Sequence, residues 1–305
     1  MKHVAVLMGG WSAEREISLN SGKACADAAE RAGYRVTRVD VTRDIARVLA
    51  DLKPDAVLNV LHGPPGEDGA LQGLLEVIGI PYSHSGVMAS AVAMQKDIAK
   101  TVLRAAGVPV PGGLVANRIE AAKKHLLPPP YVIKPLAEGS SFGVFIVRAD
   151  QAHPPQELMR PDWKFGEKVL VEPFIPGKEL TCAVIAEKPT AVIEIIAHTE
   201  FYDYEAKYAP GGSTHILPAP VSAEVYAECQ RLAVLAHQAL GCRGVTRADF
   251  RYDDSKPGVT GIACLEVNTQ PGMTATSLVP ELAAHAGMSF EELARWMIED
   301  ASLDR

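Results

Sequence analysis

Residues Leu265 to Leu278 read LEVNTQPGMTATSL, and the interpretation of the whole chain begins from this stretch. It starts as a short apolar strand and breaks at a Pro271–Gly272 turn. Side chains alternate between the two faces of a strand, so Glu266 and Asn268 are predicted to point the same way. A carboxylate beside an amide oxygen is the kind of ligand that Mg²⁺ takes in proteins. The same pattern also fits an edge strand that carries polar residues before a turn.

A second strand-like run supplies possible partners for that stretch. The segment GVTRADFRYD, residues 244–253, places Arg247 and Asp249 on one face of a strand. We predict that this strand pairs antiparallel with LEVN. Asp249 then joins Glu266 and Asn268 as a third oxygen ligand, with Arg247 beside them to meet the charge of a phosphate.

The amino-terminal part alternates between strand-like and helical segments. The apolar run HVAVLM ends in two glycines, and Ser12 follows at the predicted N-cap of a helix that carries Glu14. Two more strand-like runs, residues 34–41 and 55–63, each follow a helical segment, which predicts a parallel sheet covered by helices. Ligands of such sheets bind beyond the carboxyl ends of the strands, where Glu14 and His62 lie. Glu14 either holds an ammonium group there or only complements the helix dipole.

The middle of the chain carries a glycine and serine loop between two strand-like runs. Residues 131–148, YVIKPLAEGSSFGVFIVR, present Lys134 on the first strand, and the loop either folds over phosphates or is an ordinary hairpin. A helical segment predicted from Val87 to Ala106 carries Lys96. Residues 169–185 form two strand-like runs joined at Pro176–Gly177, with glutamates near the junction. Residues 191–220 show no clear period, which predicts a long binding loop.

Composition limits the class of protein. A chain of 305 residues is long enough for two or three domains, and its net charge of −7 gives no electrostatic footprint for nucleic acid or an anionic membrane. The five cysteines are scattered and never spaced C-x-x-C, which favours reduced thiols. No apolar run reaches the length of a membrane span. We therefore expect a soluble cytoplasmic protein that acts on small molecules, without a nucleic-acid or membrane partner.

Six segments, in this order, resemble those of the D-alanine–D-alanine ligase family in the ATP-grasp superfamily: GGWSAEREISLNSG, LHGPPGEDGALQG, VIKPLAEGSSFGV, FYDYEAKY, RADF and LEVNTQPGMTATSL. The resemblance implies an α/β parallel-sheet domain over residues 1–95, followed by the α+β lobes of an ATP-grasp fold over residues 96–178 and 179–305. It implies a homodimer that joins two D-alanine molecules for peptidoglycan precursor synthesis. The reaction would pass through D-alanyl phosphate and consume ATP, with two Mg²⁺ ions (or Mn²⁺) as cofactors.

The resemblance also implies roles for individual residues at the nucleotide end. The metal ligands would be Asp249, Glu266 and Asn268. Phosphate charge would be neutralised by Lys96, Lys134 and Arg247. The other contacts to ATP would come from Ser140, Ser141, Glu172, Ile175, Glu179 and Lys207.

At the amino-acid end, the resemblance implies that Glu14 binds the ammonium group of the first D-alanine, with His62 nearby. Ser277 and Leu278 would receive the carboxylate of the second D-alanine. The N–H of Gly272 would stabilise the oxyanion together with Arg247. A hydrogen-bonded triad would close the loops over the reaction, formed by Glu14, Ser140 and Tyr208.

The chain departs from the family pattern at a few positions. Pro64 and Pro65 replace a pair that is often basic or glycine, Pro173 stands where a charged residue is frequent, and Gln270 where serine is common. Proline keeps its carbonyl acceptor, so we expect activity to persist. The alternatives are a ligase of the same fold for other acids and amines, and a nucleotide-binding protein without catalysis. A dehydrogenase is excluded, since no dinucleotide fingerprint follows the first strand.

Overall fold

The computed structural model describes residues 1–198, 212–274 and 276–304. The chain begins with a three-stranded parallel sheet in the order β2-β1-β3, as predicted. Every residue of β1 is buried, because helices and a second sheet cover its two faces. The elements of this part are β1 (His3–Met8), α1 (Arg15–Arg31), β2 (Arg35–Asp40), α2 (Ile45–Leu52), β3 (Ala56–Asn59) and α3 (Ala70–Ile78).

A four-stranded antiparallel sheet in the order β4-β7-β5-β6 forms the middle of the molecule. It has its own apolar core, which includes Tyr131, Ile133 and Leu158. Its elements are β4 (Leu114–Asn117), α6 (Arg118–Lys123), β5 (Tyr131–Pro135), β6 (Phe145–Val147), a 3₁₀ turn (Gln156–Met159) and β7 (Lys168–Pro173). The glycine and serine loop connects β5 to β6, as predicted.

A five-stranded antiparallel sheet in the order β10-β9-β8-β11-β12 contains Glu266 and Asn268 on its edge strand β12. A capping box at Ser289 starts the last helix. The elements are β8 (Lys178–Ile185), β9 (Lys188–Ala197), β10 (Ser213–Ile216), α7 (Ala223–Ala239), β11 (Val245–Tyr252), a 3₁₀ turn (Gly258–Gly261), β12 (Ile262–Asn268), α8 (Leu278–His285) and α9 (Phe290–Glu299).

Three local expectations were wrong. Ser12 is not the N-cap of α1, because the helix begins two residues later and Glu14 occupies that position; the Ser12 hydroxyl accepts from the Glu14 N–H at 3.1 Å and donates to the His62 carbonyl at 2.6 Å. The helix predicted from 87 to 106 is two helices, α4 (Val87–Met94) and α5 (Lys96–Ala105). It breaks at an extended Gln95, where the Lys96 N–H donates to the Leu136 carbonyl instead.

The two strand-like runs joined at Pro176–Gly177 belong to different sheets, β7 to the four-stranded sheet and β8 to the five-stranded sheet. One more expectation was wrong. The segment from 191 to 220 is not irregular throughout, since β9 continues to Ala197 and β10 begins at Ser213. Between these strands lie Lys207 and Tyr208, which are outside the described residues.

The amino-terminal and five-stranded sheets share an apolar core. Val4, Val6 and Leu58 of the first sheet pack in one cluster with Ile193 and Leu282. On the other face of the five-stranded sheet, α4, α5 and α7 form a second cluster. The division at 95/96 and 178/179 stays a prediction. Within the described ranges, no helix has the length and apolar character needed to cross a membrane.

Candidate active site

The predicted metal residues lie on one face of the pair β11 and β12. Arg247 lies directly opposite Asn268, and Asp249 directly opposite Glu266. Phe250 then pairs with Cys264, so Leu265 is the extra residue of a β-bulge. Because of this bulge, the adjacent residues Leu265 and Glu266 both line the same cavity.

Asp249 lies at the centre of a hydrogen-bond network. The Arg247 guanidinium donates to both of its oxygens, at 2.8 and 2.7 Å, and the Thr181 hydroxyl donates at 2.7 Å. The Asn268 amide nitrogen also donates, at 3.0 Å. Glu266 lies 3.5 Å from the Lys96 ammonium. Two carboxylates and an amide oxygen on one face form a donor set that fits Mg²⁺.

A cavity of about 460 Å³ lies between the two antiparallel sheets, and residues of both sheets line it. Its walls are partly apolar, with Val132, Phe174 and Leu265 among them, and Pro173 also lines it. All predicted ATP contacts within the described residues line it except Ser140 and Arg247: Lys96, Lys134, Ser141, Glu172, Ile175 and Glu179. Glu138 of the glycine loop lines it too, and burial raises the pKa of this carboxyl group.

Glu172 forms a buried ionic cluster with two lysines. Its side chain is 3% exposed; one oxygen lies 2.7 Å from the Lys134 ammonium and the other contacts the Lys100 ammonium. Burial, and then the positive charge of Lys134, lower the pKa of Lys100 to about 7. Lys100 was missed in the sequence, although its position four residues after Lys96 was an available signal.

The linker between the two sheets is fixed by Arg251, another residue that the sequence analysis missed. Its guanidinium donates to the carbonyls of Ile175 and Gly177, at 3.1 and 2.8 Å. It also lies 3.5 Å from the Glu179 carboxylate. The backbone at Ile175 and the carboxylate of Glu179 are therefore held on the wall of the same cavity.

A smaller cavity, of about 70 Å³, adjoins the first. Gly139 and Glu266 line both cavities, so the two cavities meet at the glycine loop and at strand β12. The predicted amino-acid site residues all line the smaller one, as do Ser140, Arg247 and Asn268: Glu14, His62, Gly272, Ser277 and Leu278.

Glu14 is enclosed where the amino-terminal sheet meets the glycine loop. Its side chain accepts a hydrogen bond from the Ser140 hydroxyl. A methyl group added to Gly139 would lie 2.9 Å from a Glu14 oxygen, and one on Gly63 3.0 Å. Ser140 and Ser141 both adopt the left-handed region, with φ of 48° and 60°, and face different cavities. Two members of the predicted triad thus touch, and Tyr208 is outside the described residues.

His62 is held by neighbours on both sides of its ring. Nε2 lies 3.2 Å from the Ser21 hydroxyl, and Nδ1 lies 3.5 Å from the Glu67 carboxylate. Glu67 also accepts from the N–H of Gly63 at 3.1 Å and lines the small cavity. Glu67 was not predicted as a site residue, because its place two residues after the paired prolines gave no periodic signal.

Ser277 and Leu278 lie where helix α8 begins. The Ser277 hydroxyl accepts from the Thr274 N–H at 2.9 Å and makes no capping bond to its own helix. Leu278 is the first residue of α8, whose first N–H groups have no partner within the helix and favour an anion. Gly272 lies alongside, and a methyl group there would be 2.9 Å from the Ser277 hydroxyl.

Gln270, one of the departures from the family pattern, is 2% exposed. Its amide nitrogen donates to the Leu61 carbonyl, and its oxygen accepts from the Asn59 amide at 2.6 Å. It therefore ties the end of β12 to the end of β3. Pro64 and Pro65 line neither cavity.

Comparisons with known proteins match the chain to the same family over nearly its whole length. A family model described as D-ala D-ala ligase C-terminus matches residues 113–299, and one described as D-ala D-ala ligase N-terminus matches residues 44–85. The D-alanine–D-alanine ligase of Rhodopseudomonas palustris (strain BisB18) is 67% identical over 304 residues, which cover 100% of this chain and 99% of the relative. That of Azorhizobium caulinodans is 66% identical over 304 residues, with the same coverage.

Solved structures show the same fold. The D-alanine–D-alanine ligase of Bacillus anthracis complexed with ATP superposes with a TM-score of 0.82 at 28% identity, over 98% of this chain and 97% of that one. The VanG D-Ala:D-Ser ligase of Enterococcus faecalis superposes with a TM-score of 0.78 at 31% identity, over 98% of both chains. The predicted ATP-grasp fold is confirmed, and the chain belongs to the D-alanine–D-alanine ligase family.

Proposed function

We propose that the chain joins two D-alanine molecules to give D-alanyl-D-alanine, with conversion of ATP to ADP and phosphate. The observation that carries the proposal is the pair of adjoining cavities. The larger has the size and lysine lining for a nucleotide, and the smaller the carboxylate and helix N-terminus for an amino acid. They meet at Glu266, where a phosphoryl group would pass from one to the other.

The chemistry proceeds in two steps. The carboxylate of the first D-alanine attacks the γ-phosphorus of ATP, which forms D-alanyl phosphate and releases ADP. The amine of the second D-alanine then attacks the carbonyl carbon, and the tetrahedral intermediate expels phosphate as the peptide bond forms. The protein supplies position and charge rather than a covalent partner.

The charged residues of the site fit these two reaction steps. Lys96, Lys134 and Arg247 are the cations that neutralise phosphate, and Arg247 with the Gly272 N–H stabilises the oxyanion. Asp249, Glu266 and Asn268 would hold two Mg²⁺ ions, which when bound offset the negative charge of the phosphate oxygens.

Residues at the ends of the two cavities orient the substrates. Glu14 binds the ammonium group of the first D-alanine, with His62 beside it. Glu14 is only 7% exposed, so little water competes for its carboxylate. Ser277 and the N–H of Leu278 receive the carboxylate of the second. At the far end, Glu172, Ile175 and Glu179 bind the adenine and ribose, with Ser140, Ser141 and Lys207 closer to the phosphates. In this proposal Tyr208 completes the triad with Glu14 and Ser140.

The proposal includes a cytoplasmic homodimer that serves peptidoglycan precursor synthesis. The test is release of ADP by the purified protein with ATP, Mg²⁺ and D-alanine, with the product identified by mass spectrometry. We expect D-alanine-dependent ADP release and none with L-alanine. D-serine and D-lactate as second substrates separate the proposal from a ligase of the same fold with another acceptor. Absence of D-alanine-dependent turnover would overturn it.

A further inference from the structure

Glu172 lies between two cavities. One side faces the nucleotide cavity, and the other faces an outer groove of about 380 Å³. Lys134 lines the nucleotide cavity and Lys100 lines the outer groove, so each lysine approaches the carboxylate from its own side. Lys134 holds one oxygen and Lys100 the other.

The two lysines are not equivalent once a nucleotide is bound. In the proposed function Lys134 serves the phosphates, which compete with Glu172 for its ammonium group. If Lys134 were the sole cation, its departure would leave a carboxylate that is 2% exposed without compensation, which is strongly unfavourable. Lys100 has a side chain 5% exposed and does not line the nucleotide cavity, so phosphates do not compete for it.

We infer that Lys100 is the fixed counter-ion of Glu172, which keeps this carboxylate in place at the adenine end while Lys134 turns to the phosphates of ATP. The inference deepens the proposed function and rests on it. Lys100 is a positioning residue, since it acts through Glu172. Helix α5 sets its place: Lys96, one turn earlier, faces the metal end beside Glu266, and Lys100 faces the adenine end.

Protonation supports this assignment. The ionisable groups around Lys100 are Lys134 from β5, Glu172 from β7 and Cys264 from β12, and Asp97 and Arg104 of its own helix line the same groove. Lys134 lowers the pKa of Lys100, and its movement toward phosphate removes that effect. Lys100 then takes up part of a proton when ATP binds, so its contribution to ATP affinity falls as pH rises above neutrality.

The test is equilibrium binding of a non-hydrolysable ATP analogue and of adenosine, by calorimetry without D-alanine, to the protein and its Lys100→Met variant. The analogue draws Lys134 away from Glu172 and adenosine does not. We expect the variant to bind the analogue some tens of times more weakly and adenosine less than about threefold more weakly. Equal loss for both ligands, or no loss for the analogue, would overturn the inference.

Two further variants separate the proposed role from damage to the fold. Arg104→Met removes an exposed cation one turn further along the same helix, in the same groove, and is expected to leave both affinities unchanged. Glu172→Gln removes the charge that Lys100 compensates. Adding Lys100→Met to Glu172→Gln should then cause no further loss of analogue binding. A further loss of tens-fold would show that Lys100 acts by another route.

Proton uptake gives an independent readout. Calorimetric titration of the analogue in buffers of different ionisation enthalpy measures protons bound per nucleotide. At pH 7.5 we expect the unmodified protein to take up a fraction of a proton more than Lys100→Met. Equal uptake would contradict a change in the charge of Lys100. These experiments need no turnover, so a protein that binds ATP as expected but does not ligate D-alanine would contradict the proposed function and leave the role of Lys100 supported.

Discussion

Glu14 allows a test of the amino-acid end at the scale of one residue. Replacement by glutamine keeps its shape and removes its charge, so the attraction to the substrate ammonium is lost. We expect Glu14→Gln to raise the KM for the first D-alanine by roughly ten- to a hundredfold, since a hydrogen bond to a charged group contributes about 1.5–3 kcal/mol. The KM for ATP should change much less, because the glutamine oxygen can still accept from the Ser140 hydroxyl. Steady-state kinetics with each substrate varied in turn measure both.

Glu16→Gln is the matched control for Glu14, because Glu16 is exposed and lies in the first turn of the same helix. Its kinetics should equal those of the unmodified protein. A Glu14→Gln variant that raised the KM for ATP instead would remove Glu14 from the amino-acid end.

The metal end gives a second prediction. Glu266→Gln leaves a neutral oxygen where the proposed site has a carboxylate, so the variant should need at least about tenfold more Mg²⁺ for half-maximal activity. Titration of Mg²⁺ at saturating ATP measures this. Asp254→Asn, at an exposed acidic residue just after β11, should leave the titration unchanged. An unchanged Mg²⁺ requirement in Glu266→Gln would argue against its role as a ligand.

The site residues that could be predicted from sequence lie two positions apart on a single strand. The period of a strand is enough to align Arg247 with Asp249, and Glu266 with Asn268. Lys100 and Arg251 were missed for a different reason. Lys100 contacts Glu172 across 72 positions of sequence, and Arg251 contacts Ile175 across 76. Although Lys100 lies one helical turn after Lys96, its partner depends on how distant parts of the chain meet, which no local pattern encodes. Glu67 contacts the nearby His62, but from a turn without any periodic pattern.

At the scale of elements, aromatic side chains pack against the glycine loop between β5 and β6. Phe142 stacks on Phe165 with ring centres 6.5 Å apart, and Trp163 meets Phe165 edge-on at 5.0 Å. Gly143 fits beneath them, with φ of 68°, and a methyl group there would lie 2.9 Å from the Phe165 ring. The β5–β6 loop, which covers the phosphates in the proposed function, is thus positioned by the segment just before β7.

We therefore expect Gly143→Ala to lower kcat/KM for ATP by about tenfold or more, because strain at positive φ and the clash with Phe165 both displace the loop. Gly33→Ala is the control: Gly33 also has positive φ, of 93°, but an added methyl group meets nothing within 4 Å. It should cost some stability and no activity. Equal kinetics for the two variants would show that the aromatic contacts do not position the loop.

The elements themselves were predictable where one segment carries its own signal. The parallel strands, the β5–β6 loop and the capping box at Ser289 all follow from local sequence. The break at Gln95 and the bulge at Leu265 do not, because each depends on a distant or cross-strand partner. The Lys96 N–H leaves the helix for the Leu136 carbonyl, and Leu265 is displaced by the pairing of β12 with β11.

On the scale of the whole molecule, the hydrophobic cores do not follow the order of the sheets along the chain. The amino-terminal sheet and the five-stranded sheet share one cluster, although more than a hundred residues separate Leu58 from Ile193. The four-stranded sheet between them has a separate cluster. The amino-terminal and five-stranded sheets therefore form one packed unit, and the four-stranded sheet packs around its own core.

This arrangement predicts which regions lose stability together. Leu158 and Leu282 are both fully buried leucines, the first in the separate core and the second in the shared one. Each Leu→Ala change should lower the free energy of unfolding of the region built on that core by about 2–5 kcal/mol. In native-state hydrogen exchange, Leu158→Ala should reduce protection in residues 114–173 only. Leu282→Ala should reduce it both in residues 3–60 and in residues 178–298, because the two sheets lose the same cluster. Uniform loss across the chain in both variants would mean that the three sheets unfold as one unit.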